Sequence, residues 1–541
     1  MLGLRVLVLG MVTVSGFACV PSVPPLPPGP KPAPQVVEQE DPGVDIAAAR
    51  ALKRDQGFTW SPWTDEAFAR ARRDDKLILI HGAATWCHWC HVMEETTYRD
   101  PEVGALIAER FVAIRVDIDA RPDIEERYAD WGWPATIVLS PAAEELAKLR
   151  GYVPADRMRG HLRELLKSPP EVAAETTVAG VEVASLPDVY RQATAQLDRL
   201  YDRANGSWGR RQKVPLGAAA EHELMRGSAE ELARAERSLD GHAQLIDPVW
   251  GGIYQYSTDG DWSHPHFEKL MTYQAENISA FARGYAVLGQ PRHRRHAEAI
   301  VGYVNRFLSN GDGAFFVTQD ADLGGFEHGA AFVDGHRYYA LSESERWALG
   351  VPRVDDNVYA EENGLAIAAY ADLLAATGDA ALRVRVMRAA DLMLSSHVGP
   401  AGGVAHDAER PRVKYLADAA ALGHGLARLY EETHEARYRE AALRIVAFLE
   451  AELRDEATGA YWAHTPDDAA AGVFARRRRP FDANARVARF LAAIHRVTGE
   501  PQYQTRAQEV LAAIAGGIRA QGRMVGDYLL ALREAGIELR P

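Results

Sequence analysis

The chain has 541 residues, 47% of them apolar and 25% charged, and a formal net charge of −14. That mix is ordinary for globular proteins, and the length points to about two to four domains whose cores can do without disulfides. The acidic balance speaks against general nucleic-acid binding, which leaves a basic footprint. The one basic run, Arg476-Arg477-Arg478-Arg479, reads as a solvated loop. The three cysteines, Cys19, Cys87 and Cys90, exclude a disulfide-stapled scaffold and the multi-cysteine zinc folds.

Arg5 precedes an apolar run of 13 residues from Val6 to Ala18. It is too short to cross a bilayer but suits an export signal. The run ends Ser15-Gly16-Phe17-Ala18-Cys19. A small residue just before a cysteine resembles a bacterial lipobox, although Gly16 stands where leucine is usual. An ordinary cleaved signal is the alternative. Residues 1–18 are expected to be a lipoprotein-type signal peptide and Cys19 the lipidated mature terminus. Eight prolines between Pro21 and Pro34 make residues 19–50 a semi-rigid tether. The expected location is the periplasmic side of a membrane, held there by a lipid anchor.

Residues 51–168 read as an α/β domain. A helix is expected over Trp63–Asp75, then a buried strand at Leu77-Ile78-Leu79-Ile80. Ala84-Thr85-Trp86-Cys87-His88-Trp89-Cys90-His91 follows, opening a helix from Cys87 to Tyr98. Strands are expected over Phe111–Ile118, Ala135–Leu139 and Glu145–Gly151, and helices over Pro122–Trp131 and Pro154–Lys167. Cys-x-x-Cys at a strand-to-helix junction suits redox chemistry. The first cysteine meets the helix dipole and unpaired N–H groups, which stabilise a thiolate; the second lies one turn on. Cys87 is thus the expected nucleophile and Cys90 the resolving thiol, with Trp86 and His88 as tuning groups. His88 adds positive charge and should make the disulfide more oxidising.

Three other readings compete. Cys87-His88-Trp89-Cys90-His91 matches the covalent haem pattern, but the motif follows a buried strand, unlike small helical cytochromes. Zinc held by the cysteines and nearby histidines lacks a second cysteine pair. A purely structural disulfide would close a loop too short to add much constraint. Trp133-Pro134 precedes the third strand, with Pro134 47 residues after Cys87. That spacing suits the cis-proline of a thioredoxin-like fold, where it would position substrate. No cofactor and no metal are expected beyond a redox-active Cys87–Cys90 disulfide.

The run Ala84-Thr85-Trp86-Cys87-His88-Trp89-Cys90-His91-Val92-Met93-Glu94 resembles the thioredoxin-like domain of the spermatogenesis-associated protein 20 family, also called DsbH-like. His81 stands where ordinary thioredoxins carry a buried carboxylate, six residues before the first cysteine. It is read either as a proton-transfer group for the resolving cysteine or as a satisfied core histidine.

Residues 169–187 read as a linker, and residues 188–541 as helix after helix. Ile278, Phe281, Tyr285 and Leu288 follow helical spacing, as do Val487, Phe490 and Ile494. Six glycine-containing turns begin at Gly206, Gly251, Gly313, Gly402, Gly459 and Gly522. Six hairpins of this kind close into an (α/α)6 barrel. The family resemblance continues through Trp262-Ser263-His264-Pro265-His266-Phe267-Glu268-Lys269 and Gln319-Asp320-Ala321-Asp322. It weakens at Asn363-Gly364-Leu365, where Glu362 replaces a tryptophan, and at Leu416-Ala417-Asp418-Ala419. The resemblance implies a six-hairpin glycosidase-like barrel, which makes a carbohydrate ligand an expectation by analogy of fold.

The fold expected is therefore a thioredoxin-like α/β domain followed by an all-α (α/α)6 barrel. The leading function is thiol–disulfide exchange with a protein thiol or disulfide partner. The alternatives are a carbohydrate-active enzyme, epimerase- or glycosidase-like, with an accessory redox domain, and a non-catalytic binding protein. The candidate barrel site comprises His264, His266, Glu268, Lys269, Asp320, Asp322, Asn363 and Asp418. His266, Glu268, Asp320 and Asp322 should converge at one end of the ring, with at least one carboxyl pKa raised by mutual repulsion.

Overall fold

The computed structural model describes residues 49–538, apart from 51, 53, 129–131, 171, 173–177 and 326–330. The expected signal, Cys19 and nearly all of the proline tether lie outside the described residues. Among the described residues no helix is long and apolar enough to cross a membrane.

The first domain forms around a four-stranded sheet. Helix α1 (Asp65–Arg73) starts at Thr64, whose hydroxyl accepts from Ala67 N, and it buries Ala67, Phe68 and Ala71. Acidic residues in its first turn and arginines in its last suit the helix dipole. Strand β1 (Leu77–Ala83) is almost wholly buried, as an apolar β-branched run requires. It leads into α2 (His88–Thr96), α3 (Pro101–Arg110), β2 (Phe111–Asp117) and α4 (Pro122–Tyr128). Strands β3 (Ala135–Leu139) and β4 (Glu145–Arg150) then precede α5 (Ala155–Lys167). The sheet order is β2-β1-β3-β4, with β1 parallel to β2 and the other pairs antiparallel. Leu79, Val103, Ile107 and Val138 build the core on one face of the sheet; Ile78, Ile80, Ile114 and Ile137 build it on the other. The expected elements are present with ends shifted by a few residues. The Trp133–Pro134 peptide is cis.

Among the described residues the barrel has twelve principal helices. They are α6 (Leu186–Leu200), α7 (Gly217–Arg226), α8 (Ala229–Ala243), α9 (Met271–Leu288), α10 (Pro291–Phe307) and α11 (Ala360–Thr377), followed by α12 (Ala380–Ser396), α13 (Leu416–Thr433), α14 (Ala436–Phe448), α15 (Phe481–Thr498), α16 (Pro501–Ile514) and α17 (Gly526–Glu534). The odd-numbered helices pack side by side in the order α7, α9, α11, α13, α15, α17, and α17 returns to α7. The ring is closed, and the even-numbered helices line its outside. The first barrel helix starts at Leu186, two residues before the expected boundary, because a short turn over Val183–Ser185 runs directly into it.

The two ends of the ring differ. Five inner helices stop at a residue in the left-handed region, namely Gly227, Gly289, Gly378, His434 and Gly499, and turn straight into the next outer helix. Glycine suits that conformation because it has no Cβ to clash. All six glycine turns foreseen from sequence lie at the opposite end, between an outer helix and the next inner one. Several are clamped by inner-helix amides. Gln274 bonds both backbone groups of Ile253, Asn363 those of Phe315, and Asn484 those of Tyr461.

The thioredoxin-like domain sits on this turn-bearing end. Val473 and Phe474 of the barrel belong to the first domain's core, and Phe474 meets Trp63 edge-on with ring centroids 4.8 Å apart. Val473 N donates to Ala143 O at 2.9 Å. The arginine run is not a solvated loop. Arg476 pairs with Glu144 at 2.7 Å, Arg478 donates to Arg127 O at 3.1 Å, and Arg479 pairs with Asp455. The run therefore bridges the domains, and its charges face acids and carbonyls that sequence spacing does not reveal.

Candidate active site between the domains

Cys87 and Cys90 form a disulfide at the start of α2. Cys87 is the N-cap residue, and its sulfur accepts from Cys90 N at 3.2 Å. The pair is covered: Cys87 is 3% exposed and Cys90 fully buried, within a cluster that includes Trp86, Trp89 and the barrel's Leu270 and Phe332. Trp86 is oriented by its indole N–H, which donates to Asp119 Oδ2 at 2.8 Å. Trp133 lies against Gly82 of β1, where any side chain would meet the indole ring.

His81 is fully buried and stacks on Trp60. Its Nε2 lies 3.3 Å from Glu94, which also pairs with Arg115 at 2.8 Å. Burial lowers the His81 pKa despite Glu94, while Glu94 itself is pulled down to about 2, His81 and Arg115 outweighing its burial. The observed partners of His81 are thus Glu94 and the aromatic core.

The redox helix and the candidate barrel residues meet. His88 Nδ1 is 2.7 Å from Asp322 Oδ2, and His88 N donates to Glu268 Oε1 at 3.4 Å. His91 Nδ1 lies 3.6 Å from Asp322 Oδ2 and its Nε2 3.8 Å from Asp320 Oδ2. Glu268 thereby faces an N–H that α2 leaves without a helical partner. Although burial opposes charge on His88, Asp322 and Glu268 win, and its pKa rises to about 9. Asp322 is driven well below the usual carboxylate range by the two imidazoles. Asp320 rises to about 7, because burial and the Asp322 charge outweigh His91. Glu268, Asp320 and Asp322 thus lie together against α2, and the raised Asp320 carboxyl owes most to burial. These acids are nevertheless engaged by the first domain rather than open to a barrel ligand.

His266 pairs in a two-residue strand with Tyr256, stacks on that ring at 4.2 Å and lines a cleft of about 1560 Å³ between the domains. Burial, with the His88 charge, lowers its pKa to about 3. Four other candidates have different surroundings. His264 is half-exposed and bonded to Asp261 at 3.0 Å. Lys269 is buried in an ion pair with Asp247, which Arg346 also grips. Asn363 clamps Phe315, and Asp418 holds His406 at 2.9 Å. Lys269, Asn363 and His264 are corrections to the expected ligand site, because their polar atoms are spent on the fold or on a surface turn.

Sequence reasoning assigned no role to His91, Asp119, Glu125 or His406. His91 lies three residues after His88 and so shares its helix face, a signal that was available. His406 donates to Asp119 O at 2.8 Å and to Asp418, which overcomes its burial and raises its pKa to about 10. Glu125 and Glu362 also border the cleft, each raised to about 8, mainly by burial and then by Glu361. The tryptophan-to-glutamate departure at 362 thus places one more acid in this cluster.

Residues 51–176 match the model of the Thioredox_DsbH family, described as "Protein of unknown function, DUF255". The chain is also similar to human spermatogenesis-associated protein 20, with 29% identity over 304 residues, 49% of this chain and 39% of that protein. It therefore matches about two-fifths of that relative's length. Among solved structures, it is similar to cellobiose 2-epimerase from Bacillus thermoamylovorans, with TM-score 0.46 and 11% identity over 60% of this chain and 86% of that one. It is likewise similar to a D-mannose isomerase, with TM-score 0.48 and 11% identity over 65% and 97% of the two chains. The chain joins a thioredoxin-like domain to a helical barrel, as expected from sequence.

Proposed function

We propose that the protein is a thiol–disulfide oxidoreductase whose substrate reaches Cys87 through the interdomain cleft. The observation that carries this is the Cys87–Cys90 disulfide at the N-terminus of α2, with Cys87 as N-cap and a charged His88 beside it. In the oxidising direction a substrate thiolate attacks Cys87 Sγ, the Cys87–Cys90 bond breaks, and Cys90 leaves with the electron pair. A second substrate thiolate then attacks the substrate sulfur of the mixed disulfide and expels the Cys87 thiolate. The substrate leaves oxidised by two electrons and the cysteine pair is reduced by two. The reductive direction is the same sequence reversed. The covered disulfide favours a thiol on a small molecule or an extended chain over one on a folded surface. Stopped-flow reduction of the purified protein, with Cys87→Ser and Cys90→Ser beside it, tests the reading. A wild-type protein that exchanges with no thiol would overturn it.

A second reading is carbohydrate binding or turnover in the cleft. Trp86, Trp89 and Trp133 offer ring faces, and Glu125, Glu276 and Glu362, all raised to about 8, retain protons near neutrality as general acids do. Calorimetry against a glycan panel tests it, and no heat with any glycan would count against it. We also propose export and lipidation at Cys19. Cys19→Ala should move the protein from the membrane to the soluble fraction.

A further inference from the structure

We propose that His91, Asp320 and Asp322 hold a divalent first-row transition-metal ion, such as zinc, at the contact between the two domains. One donor atom from each of these residues lies within 4.8 Å of the other two, and all three side chains are buried. For metal–ligand bonds of about 2.0–2.1 Å, neighbouring donors of a tetrahedral site sit roughly 3.3 Å apart. The 3.6 Å between His91 Nδ1 and Asp322 Oδ2 needs only a small contraction.

Three further features fit an ion. His91 Nε2 faces Thr85 O at 3.2 Å, and a carbonyl can only accept, so that nitrogen carries a proton and Nδ1, facing Asp322, is the atom that would bind an ion after releasing its own proton. Metal-bound histidines are commonly fixed in this way by a second hydrogen bond. Asp320 is 2% exposed, and its Oδ2 accepts no hydrogen bond while Oδ1 accepts from Asp322 N. A buried carboxylate oxygen in that condition is costly without a cation. Gly325 keeps space at the same place. A Cβ there would lie 2.6 Å from His91 Nδ1 and 3.1 Å from Asp320 Oδ2. Arg50 pins this segment by donating to Gly324 O at 2.8 Å and to Gly325 O.

The charge count agrees. Glu268, Asp320 and Asp322 are three buried carboxyl groups facing His88 and His91, and Glu268 Oε2 also accepts no hydrogen bond. One nitrogen with two carboxylate oxygens suits zinc and its neighbours, and leaves a fourth position for water or a ligand. His88, bonded to Asp322, would orient that ligand from the side. This inference stands independently of the redox reading.

The experiment uses the full chain with its disulfide closed, stripped with a chelator and then titrated with Zn²⁺. Elemental analysis after desalting should find about one zinc per chain. Asp320→Asn and His91→Gln should each weaken zinc binding by at least tenfold. The Cys87→Ser/Cys90→Ser double variant should bind as wild type does. The cobalt-substituted wild type should show a nitrogen and oxygen spectrum without a thiolate charge-transfer band. No retained zinc overturns the proposal. So does a thiolate band, or retention lost only in the cysteine double variant. Because stoichiometry and the cobalt spectrum are read on wild type, a variant that fails to fold leaves the answer intact.

Discussion

His88 Nδ1 of the redox helix and Asp322 Oδ2 of the barrel lie 2.7 Å apart, joining the residue between the two cysteines to the other domain. Burial alone would strip the proton from His88, and Asp322 restores it, so the pair has a testable pH signature. His88 should titrate near 9 in the wild type, followed by NMR of its ring protons. Asp322→Asn should lower that value by about one unit or more. The raised histidine stabilises the fold fully below about 6.5, and this contribution fades as pH climbs through about 9. An unchanged His88 titration in the variant would remove Asp322 as the cause.

Reduced Cys87 should be an acidic thiol. The N-cap position and the His88 charge both favour the thiolate, which places its pKa below the roughly 8.5 of an unperturbed cysteine. Alkylation rate against pH on the Cys90→Ser variant reads this directly. A midpoint at or above that value would contradict it.

Cys87 is 3% exposed beneath residues of the barrel, so reductant size should matter. A small phosphine or dithiol should open the disulfide at least tenfold faster than a folded thioredoxin of equal driving force. Equal rates would show that the cleft does not restrict access.

Glu362 gives a pH signature of the same sign as His88, though from a neutral rather than a charged protonated form. Its pKa is raised to about 8, so the folded chain binds this proton more tightly than the unfolded chain does. Its contribution to stability is present near its ordinary value of about 4.5 and is lost as pH rises toward 8. Glu362→Gln should therefore stabilise the protein in urea melts near pH 8.5 and change little near pH 5. Destabilisation at the higher pH would sink the assignment.

Gly472 sits at φ +54°, where a Cβ would overlap Ala143 O of the first domain. Gly472→Ala should loosen the domain contact by about 1–3 kcal/mol. Calorimetry should then show the thioredoxin-like domain melting ahead of the barrel. A single transition at the wild-type temperature would refute this.

Local structure was readable in the sequence. Cys87, Cys90, Pro134 and the four strands rest on short-range pattern, and the six turns rest on a repeated glycine. Lys269 was misjudged because its partner Asp247 lies 22 residues before it, and Arg346, which grips the same carboxylate, 77 after it, brought together only by packing. The meeting of His88 with Asp322 was equally hidden. Two motifs that each looked complete meet at the contact between the domains, and their pairing across 234 positions leaves no periodic trace. Arg476–Arg479 failed for the same reason, since charge composition does not reveal which acids another domain will present.

Val473 and Phe474 also set an order of events during synthesis. They complete the packing around Trp63 and Phe68, yet leave the ribosome more than 300 residues after β4. At about 5–20 residues per second this interval lasts roughly 15–60 s. Through that time Trp63 and Phe68 lack their covering partner, and the cysteine pair stands without the barrel's Leu270 and then Phe332 above it. Until those residues arrive, the cysteine pair is less covered than in the finished protein.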